Sequence, residues 1–298
     1  MDQRTLLVIN FRYHLVSLAA VLIALAAGIA LGSGPLEDKD TQDDTRAASQ
    51  TTDTGVRAFE VGYAGRTAPT LLKDKLKDRP VLVLTVPGTS ANEVKDVVND
   101  LDLAGAEVTG EIALTSKILD SSGRQFAEGV ARQSAEDVEE VTGADDSYGR
   151  IGGALARAYM ADQAGALDET ATTITSAFSE GGLITETRAP KRAATLAVLV
   201  TGPQRATGGD QSTVIAALAA ALNRSGQGVV VAGPSSSSTD GGAVKAVREG
   251  EAASEISTVD VTDSAAGRVV TVLAAVAQAA GQPGSWGTSR SDSGALPK

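Results

Sequence analysis

Short runs such as "VLVLTV" (residues 81–86), "ATLAVLVTG" (194–202) and "GQGVVVAGP" (226–234) are apolar at consecutive positions rather than at alternate ones. A strand with this pattern buries both faces, which is the habit of a parallel sheet covered by helices on each side. The stretches between the runs fit that reading. After "PGTSAN", Ser90 and Glu93 match a helix capping box, and Val94, Val97, Val98 and Leu101 share one helical face. "AEVTGEIAL" (106–114) then resumes as a strand. The pattern returns with Val214, Ile215, Leu218 and Leu222 on a helix, a short helix around Val244 to Val247, the strand "ISTVDV" (256–261) and the closing helix "SAAGRVVTVLAAVAQAAG". Residues 146–182 read as helical, with Ile151, Leu155 and Tyr159 on one stripe. Alternating strands and helices predict an α/β, Rossmann-like domain with a mostly parallel sheet.

A second feature sets where that domain sits. Leu15 to Leu31 is a dense apolar run of 17 residues inside a charge-free stretch reaching Leu36. As a helix it is about 26 Å long, a little under a hydrocarbon core of roughly 30 Å but within the range of real spans. Arg4 and Arg12 precede it, while Glu37, Asp38, Asp40, Asp43 and Asp44 follow. Basic residues stay on the cytoplasmic side, so the expected topology is a single-pass protein of the cell membrane, with its N-terminus inside and its main domain extracytoplasmic. A cleaved export signal is the competing reading, since Ala30 and Gly32 offer small residues for cleavage. The length of the run favours the anchor. The expected organisation is a cytoplasmic arm (1–14), a transmembrane helix (15–36), a polar stalk (37–58), an extracytoplasmic α/β domain (59–283) and a flexible tail (284–298). Phe59, Tyr63, Leu71, Leu72 and Leu76 are expected to pack where the domain begins.

Composition narrows the chemistry. The chain has 298 residues and a formal charge of −11; residues 1–14 carry +1, so the rest carries −12. Such a body disfavours nucleic acid and anionic lipid as partners. There is no cysteine, and the lone histidine is His14 at the entrance to the apolar run. Imidazole acid–base chemistry and histidine-based triads therefore have no residue to use after the run. Beyond it, Met160 is the one soft ligand that copper(I) could seek. No enzyme activity, cofactor or metal site is expected. The loops "PGTSAN", "GPQRATGGD" and "GPSSSSTDGG" follow strands and could hold an anion or glycan. None is a P-loop, however, and plain tight loops use the same residues. The acidic stretch "SAEDVEEVTGADD" (134–146) reads either as a solvated face or as a dock for a basic partner.

The arm holds the candidate site. Leu6, Leu7, Val8 and Ile9 lie before the apolar run, followed by Phe11, Arg12, Tyr13 and His14. Aromatic residues at a membrane boundary are ordinary anchors, but four aliphatic residues in an aqueous arm want a partner. Residues 6–9 and 11–14 are therefore the expected docking element for a cytoplasmic protein.

"FRYH-x-VSL" at Phe11, Arg12, Tyr13, His14, Val16, Ser17 and Leu18, with "G-x-x-LGSG" at Gly28, Leu31, Gly32, Ser33 and Gly34, resembles the membrane entry of the MctB family, the mycobacterial copper transport protein B family. The likeness continues through "RPVLVLTVPG", "LAGAEVTGEIAL", "RAATLAVLVTG" and "SGALP". It implies an actinobacterial envelope protein linked to copper efflux and proposed to form channels. It also implies a kinship with corynebacterial proteins of daughter-cell separation, which act with a cytoplasmic partner and an envelope peptidoglycan hydrolase. Family members often carry a long heptad segment after the span; residues 37–58 here have no a/d apolar seam. The favoured expectation is a non-enzymatic interaction or regulatory scaffold that binds a cytoplasmic protein through its arm and an envelope protein through its domain. The alternative is a copper transport or efflux pore component. Homo-oligomerisation is left open.

Overall fold

The computed structural model describes residues 39–203, 209–288 and 290–297. The chain divides into two units, residues 1–58 and 59–298. The expected arm and apolar anchor lie outside the described residues, and among the described residues no helix is long and apolar enough to cross a membrane. In the first unit the described part belongs to helix α1 (Lys39–Leu72), and residues 53–58 are exposed.

In the second unit α1 continues through Pro69, burying Ala64, Ala68 and Leu72. The Glu60 carboxylate accepts the N–H of Ala266 at 2.6 Å. Leu72 and Leu76 are buried as expected, but Phe59, Tyr63 and Leu71 are 72, 60 and 46% exposed. The first two stack on each other one helical turn apart, with ring centroids 6.0 Å apart, instead of joining the core.

The elements then follow as β1 (Pro80–Thr85), α2 (Ala91–Leu103), β2 (Glu107–Leu114), a run of helices, and β3 (Ile184–Arg188). The helices between β2 and β3 are α3 (Ser116–Leu119), α4 (Arg124–Ser134), α5 (Glu139–Thr142), α6 (Ser147–Tyr159) and α7 (Glu169–Glu180). Next come β4 (Leu196–Val200), α8 (Gly209–Arg224), β5 (Val229–Ala232) and a 3₁₀ turn at Ser235–Ser238. The described elements close with α9 (Ala243–Glu249), β6 (Ser257–Val259), α10 (Ala265–Ala279) and β7 (Ser285–Trp286).

The seven strands form one sheet in the order β3-β2-β1-β4-β5-β6-β7. Every neighbouring pair is parallel except β2 and β3. This is a doubly wound order that reverses between β1 and β4. The mostly parallel α/β sheet is thus present, with an antiparallel edge.

The consecutive apolar residues have the expected reason. Along β1, Leu82 and Leu84 enter one core layer with Ile112, Leu199, Val231 and the helices α3 to α9. Val81 and Val83 enter the opposite layer with Val198, Val200, Val230 and residues of α1, α2 and α10. Ser90 caps α2 by accepting the Glu93 N–H, and Val97, Val98 and Leu101 are buried beneath it. Ile151, Leu155 and Tyr159 are buried on α6. The C-terminal region departs from the expected flexible tail. Ser285–Trp286 pairs with Thr258 and Val259, and Trp286 is 6% exposed.

Where α2 meets α10, Arg268 pairs with Asp96 at 3.2 Å. Asp100, one turn further on α2, is raised from 3.8 to about 6, chiefly by burial, with Arg268 opposing and Asp96 adding to the shift. The folded chain holds this proton between pH 3.8 and about 6, so ionising Asp100 lowers stability as the pH rises through that window. Asp100→Asn is therefore expected to stabilise the protein at pH 7.5 by about 1 kcal/mol, allowing for solvent screening of a half-buried group. Urea unfolding midpoints should show that gain shrinking steadily toward pH 4.5. An equal gain at both pH values would contradict this origin.

Candidate functional site

In a doubly wound sheet, ligands bind beyond the carboxyl ends of the strands at the point where the order reverses. Here that point is flanked by the loops after β1 and β4. The two backbones nearly touch: a Cβ on Gly202 would lie 2.6 Å from the Gly88 carbonyl oxygen. The Thr89 hydroxyl donates to the Val86 carbonyl at 2.8 Å and lies 3.1 Å from the Val200 carbonyl, tying the first loop to β4. Among the described residues, a cavity of about 40 Å³ lies here, bounded by Val86, Pro87, Thr201, Gly202 and Gln211 among others. That is room for about one water molecule.

The serine-rich loop after β5 is likewise used internally. The hydroxyls of Ser237, Ser238 and Thr239 donate to the carbonyls of Pro234, Ser235 and Ser236. Ser235 donates to the Asp263 carboxylate at 2.9 Å. Its hydroxyls shape the turn that leads into α9.

The most concentrated polar chemistry lies beside this loop, at the end of β6. Asp260 is fully buried, and Arg248 from α9 pairs with it at 3.2 Å with 12% of its own side chain exposed. The Arg248 guanidinium also donates to the Thr258 hydroxyl (2.8 Å), the Trp286 carbonyl (3.3 Å) and the Ser291 hydroxyl (3.1 Å). Asp260 accepts the N–H and hydroxyl of Thr288 at 2.8 and 2.7 Å, and the Ser291 hydroxyl at 3.2 Å. Burial alone would raise the Asp260 pKa. Thr288, with help from Ser238 and Arg248, outweighs that effect and holds it below 3.8. The ionised pair therefore fastens Trp286, Thr288 and Ser291 over the sheet's edge. A carboxylate at the end of the apolar run "ISTVDV" was the available sequence signal for this centre.

The arm residues Leu6, Leu7, Val8, Ile9, Phe11, Arg12, Tyr13 and His14 lie outside the described residues. Met160 is 5% exposed, and its methyl would meet a Cβ on Gly226 at 2.7 Å, so its side chain is packed inside. Among the described residues, no three of His, Cys, Asp or Glu gather in a metal-binding group. The acidic segment 134–146 buries Val138 and Val141 and exposes Glu136, Asp137, Glu139, Glu140, Asp145 and Asp146.

The family model described as "Copper transport outer membrane protein, MctB" matches residues 8–297. The chain belongs to the MctB family. Relatives include the copper transporters MctB of Mycobacterium bovis and Mycobacterium tuberculosis, each 30% identical over 291 residues, covering 89% of this chain and 91% of the relative. The Mycobacterium leprae copper transporter MctB is 29% identical over 295 residues, with the same coverage of both chains.

For this MctB chain, Arg248→Ala is expected to cost about 3–5 kcal/mol, because the buried Asp260 carboxylate loses its counter-charge. Chemical denaturation measures that loss. Limited proteolysis should show faster cutting within residues 284–297, whereas unchanged stability and cutting would mean that the pair does not fasten this segment. Since the pKa of Asp260 is depressed, its contribution is present above pH 3.8 and is lost as the pH falls through the lower folded value.

Proposed function

We propose that this chain serves copper transport at the cell envelope as a membrane-tethered, non-catalytic α/β body that works through contacts with other proteins. The observation that carries this reading is its supply of soft ligands. The chain has no cysteine and one histidine, His14, while Met160 is packed in the core. Copper(I) favours thiolate and thioether ligands, so a body built this way suits regulation or assembly of transport better than copper capture. The names of the mycobacterial relatives support the copper setting, and the apolar run Leu15 to Leu31 supports a single span with the body outside. The sheet's two faces are taken up by helices, which favours a scaffold over a pore wall.

Detergent-purified full-length chain, titrated against a copper(I) complex of a high-affinity chromogenic chelator, should leave the complex intact. Stoichiometric removal of copper would overturn the scaffold reading and favour direct copper handling.

The arm supplies the cytoplasmic contact in this account. Leu6, Leu7, Val8 and Ile9 would gain on the order of 1.5–3 kcal/mol each if fully buried, cut to a few kcal/mol in total by ordering costs and incomplete burial. Replacing Leu7 and Ile9 together by Ser should abolish co-purification of a cytoplasmic protein while the chain remains in the membrane fraction. Loss from that fraction would assign these residues to the span instead.

A further inference from the structure

Helix α8 lies between α6 and α9, packing against both. Its outward face is low: Ala216, Ala217 and Ala220 are half-buried, with Thr213 and Arg224 exposed at either end. A cavity of about 900 Å³ opens on the α9 side and one of about 670 Å³ on the α6 side. Asp146, Ala217, Ala220, Arg224 and Glu251 border both, so the two join across the alanine ridge as one trough.

The trough has acidic rails. Glu139, Glu140, Asp145 and Asp146 stand on one side. Asp240, Glu249, Glu251 and Glu255 stand on the other. Against these eight carboxylates the lining has two basic groups, Arg224 and Lys245, and Lys245 already pairs with Asp240 and Glu249. Glu139, Glu140, Asp145 and Glu251 make no ion pair among the described residues.

We infer that this trough docks a basic amphipathic helix of a partner protein. An alanine floor lets another helix approach closely, and flanking Lys or Arg residues of the visitor would meet a carboxylate on either side. From Thr213 to Arg224 the floor runs about 16 Å, or three helical turns of the visitor. A second copy of this chain would bring the same acidic rails and its own −11 charge, so like charges oppose self-pairing. Anionic lipid and nucleic acid are repelled for the same reason. This partner class rests on the proposal that the body works through contacts. Copper captured from the chelator would sink that proposal and leave the present one to its own test.

The probe is a fluorescent 15-residue helical peptide with Ala and Leu along one face and Lys on both flanks. It is titrated into full-length chain in non-ionic detergent at physiological and at high salt. The chain should bind this peptide with an affinity that falls as salt rises, and should bind the version with Glu for Lys at least tenfold more weakly. The double variant Glu139→Lys, Glu251→Lys should weaken the Lys peptide at least tenfold. The control Asp102→Lys, Glu180→Lys changes the net charge equally at exposed acids away from the trough and should change affinity less than twofold. Circular dichroism verifies that both variants fold. Equal weakening by the two variants, or equal binding of the two peptides, would overturn the proposal by reducing it to non-specific charge attraction. A dimer seen by sedimentation and lost in Glu139→Lys, Glu251→Lys would also overturn it, by assigning the trough to self-association.

Discussion

A parallel strand that is apolar at every position has no face to give to water, and β4, β5 and β1 as far as Leu84 are of this kind. Their sheet survives only between two helical layers, and the layers account for most of the second unit. On one side the end of α1 joins α2 and α10. On the other, the helices inserted between β2 and β3 combine with α8 and α9. Large side chains such as Tyr159 and Phe178 fill that second layer and are fully buried. With no cysteine in the chain, this double burial is what holds the body together.

The same constraint directs attention away from the sheet's edge. In many doubly wound proteins the reversal of strand order leaves a crevice for a ligand. Here Gly88 and Gly202 bring two loops nearly into contact, serine hydroxyls turn back on their own backbone, and Trp286, Thr288 and Ser291 are fastened across β6 by Arg248 and Asp260. A buried ion pair contributes little net stability compared with a hydrophobic substitute, but breaking one side of it is costly. Its value here is positional, since it fixes where the final strand and the loop beyond it lie. The outward helical faces, α8 among them, then hold the trough that we propose as a docking surface.

Much of this architecture was legible in the sequence because its signals were local. The apolar runs gave β1, β4 and β5, the box from Ser90 to Glu93 gave the start of α2, and the stripe through Ile151, Leu155 and Tyr159 gave α6. What escaped reading depends on contacts distant in the chain. β3 is a half-exposed edge whose alternation is weak, and β7 is two residues long, defined only by pairing with β6. Phe59 and Tyr63 carry the composition of core residues, yet their helix turns them outward, where they pack on each other. Arg248 on α9 and Asp260 just beyond β6 lie 12 residues apart, and neither residue type alone announces a pair. The arm was read from composition and lies outside the described residues.

Amide hydrogen exchange on the full-length chain bears directly on the claim that the C-terminal segment closes the sheet's edge. The N–H groups of Thr258 and Asp260 donate to the carbonyls of Gly284 and Trp286, and that of Thr288 donates to the Asp260 carboxylate. This account predicts that these amides are protected on the same timescale as those of β1 and β4. Complete exchange at all three within seconds, while β1 and β4 stay protected, would contradict it and return the edge of the sheet to solvent.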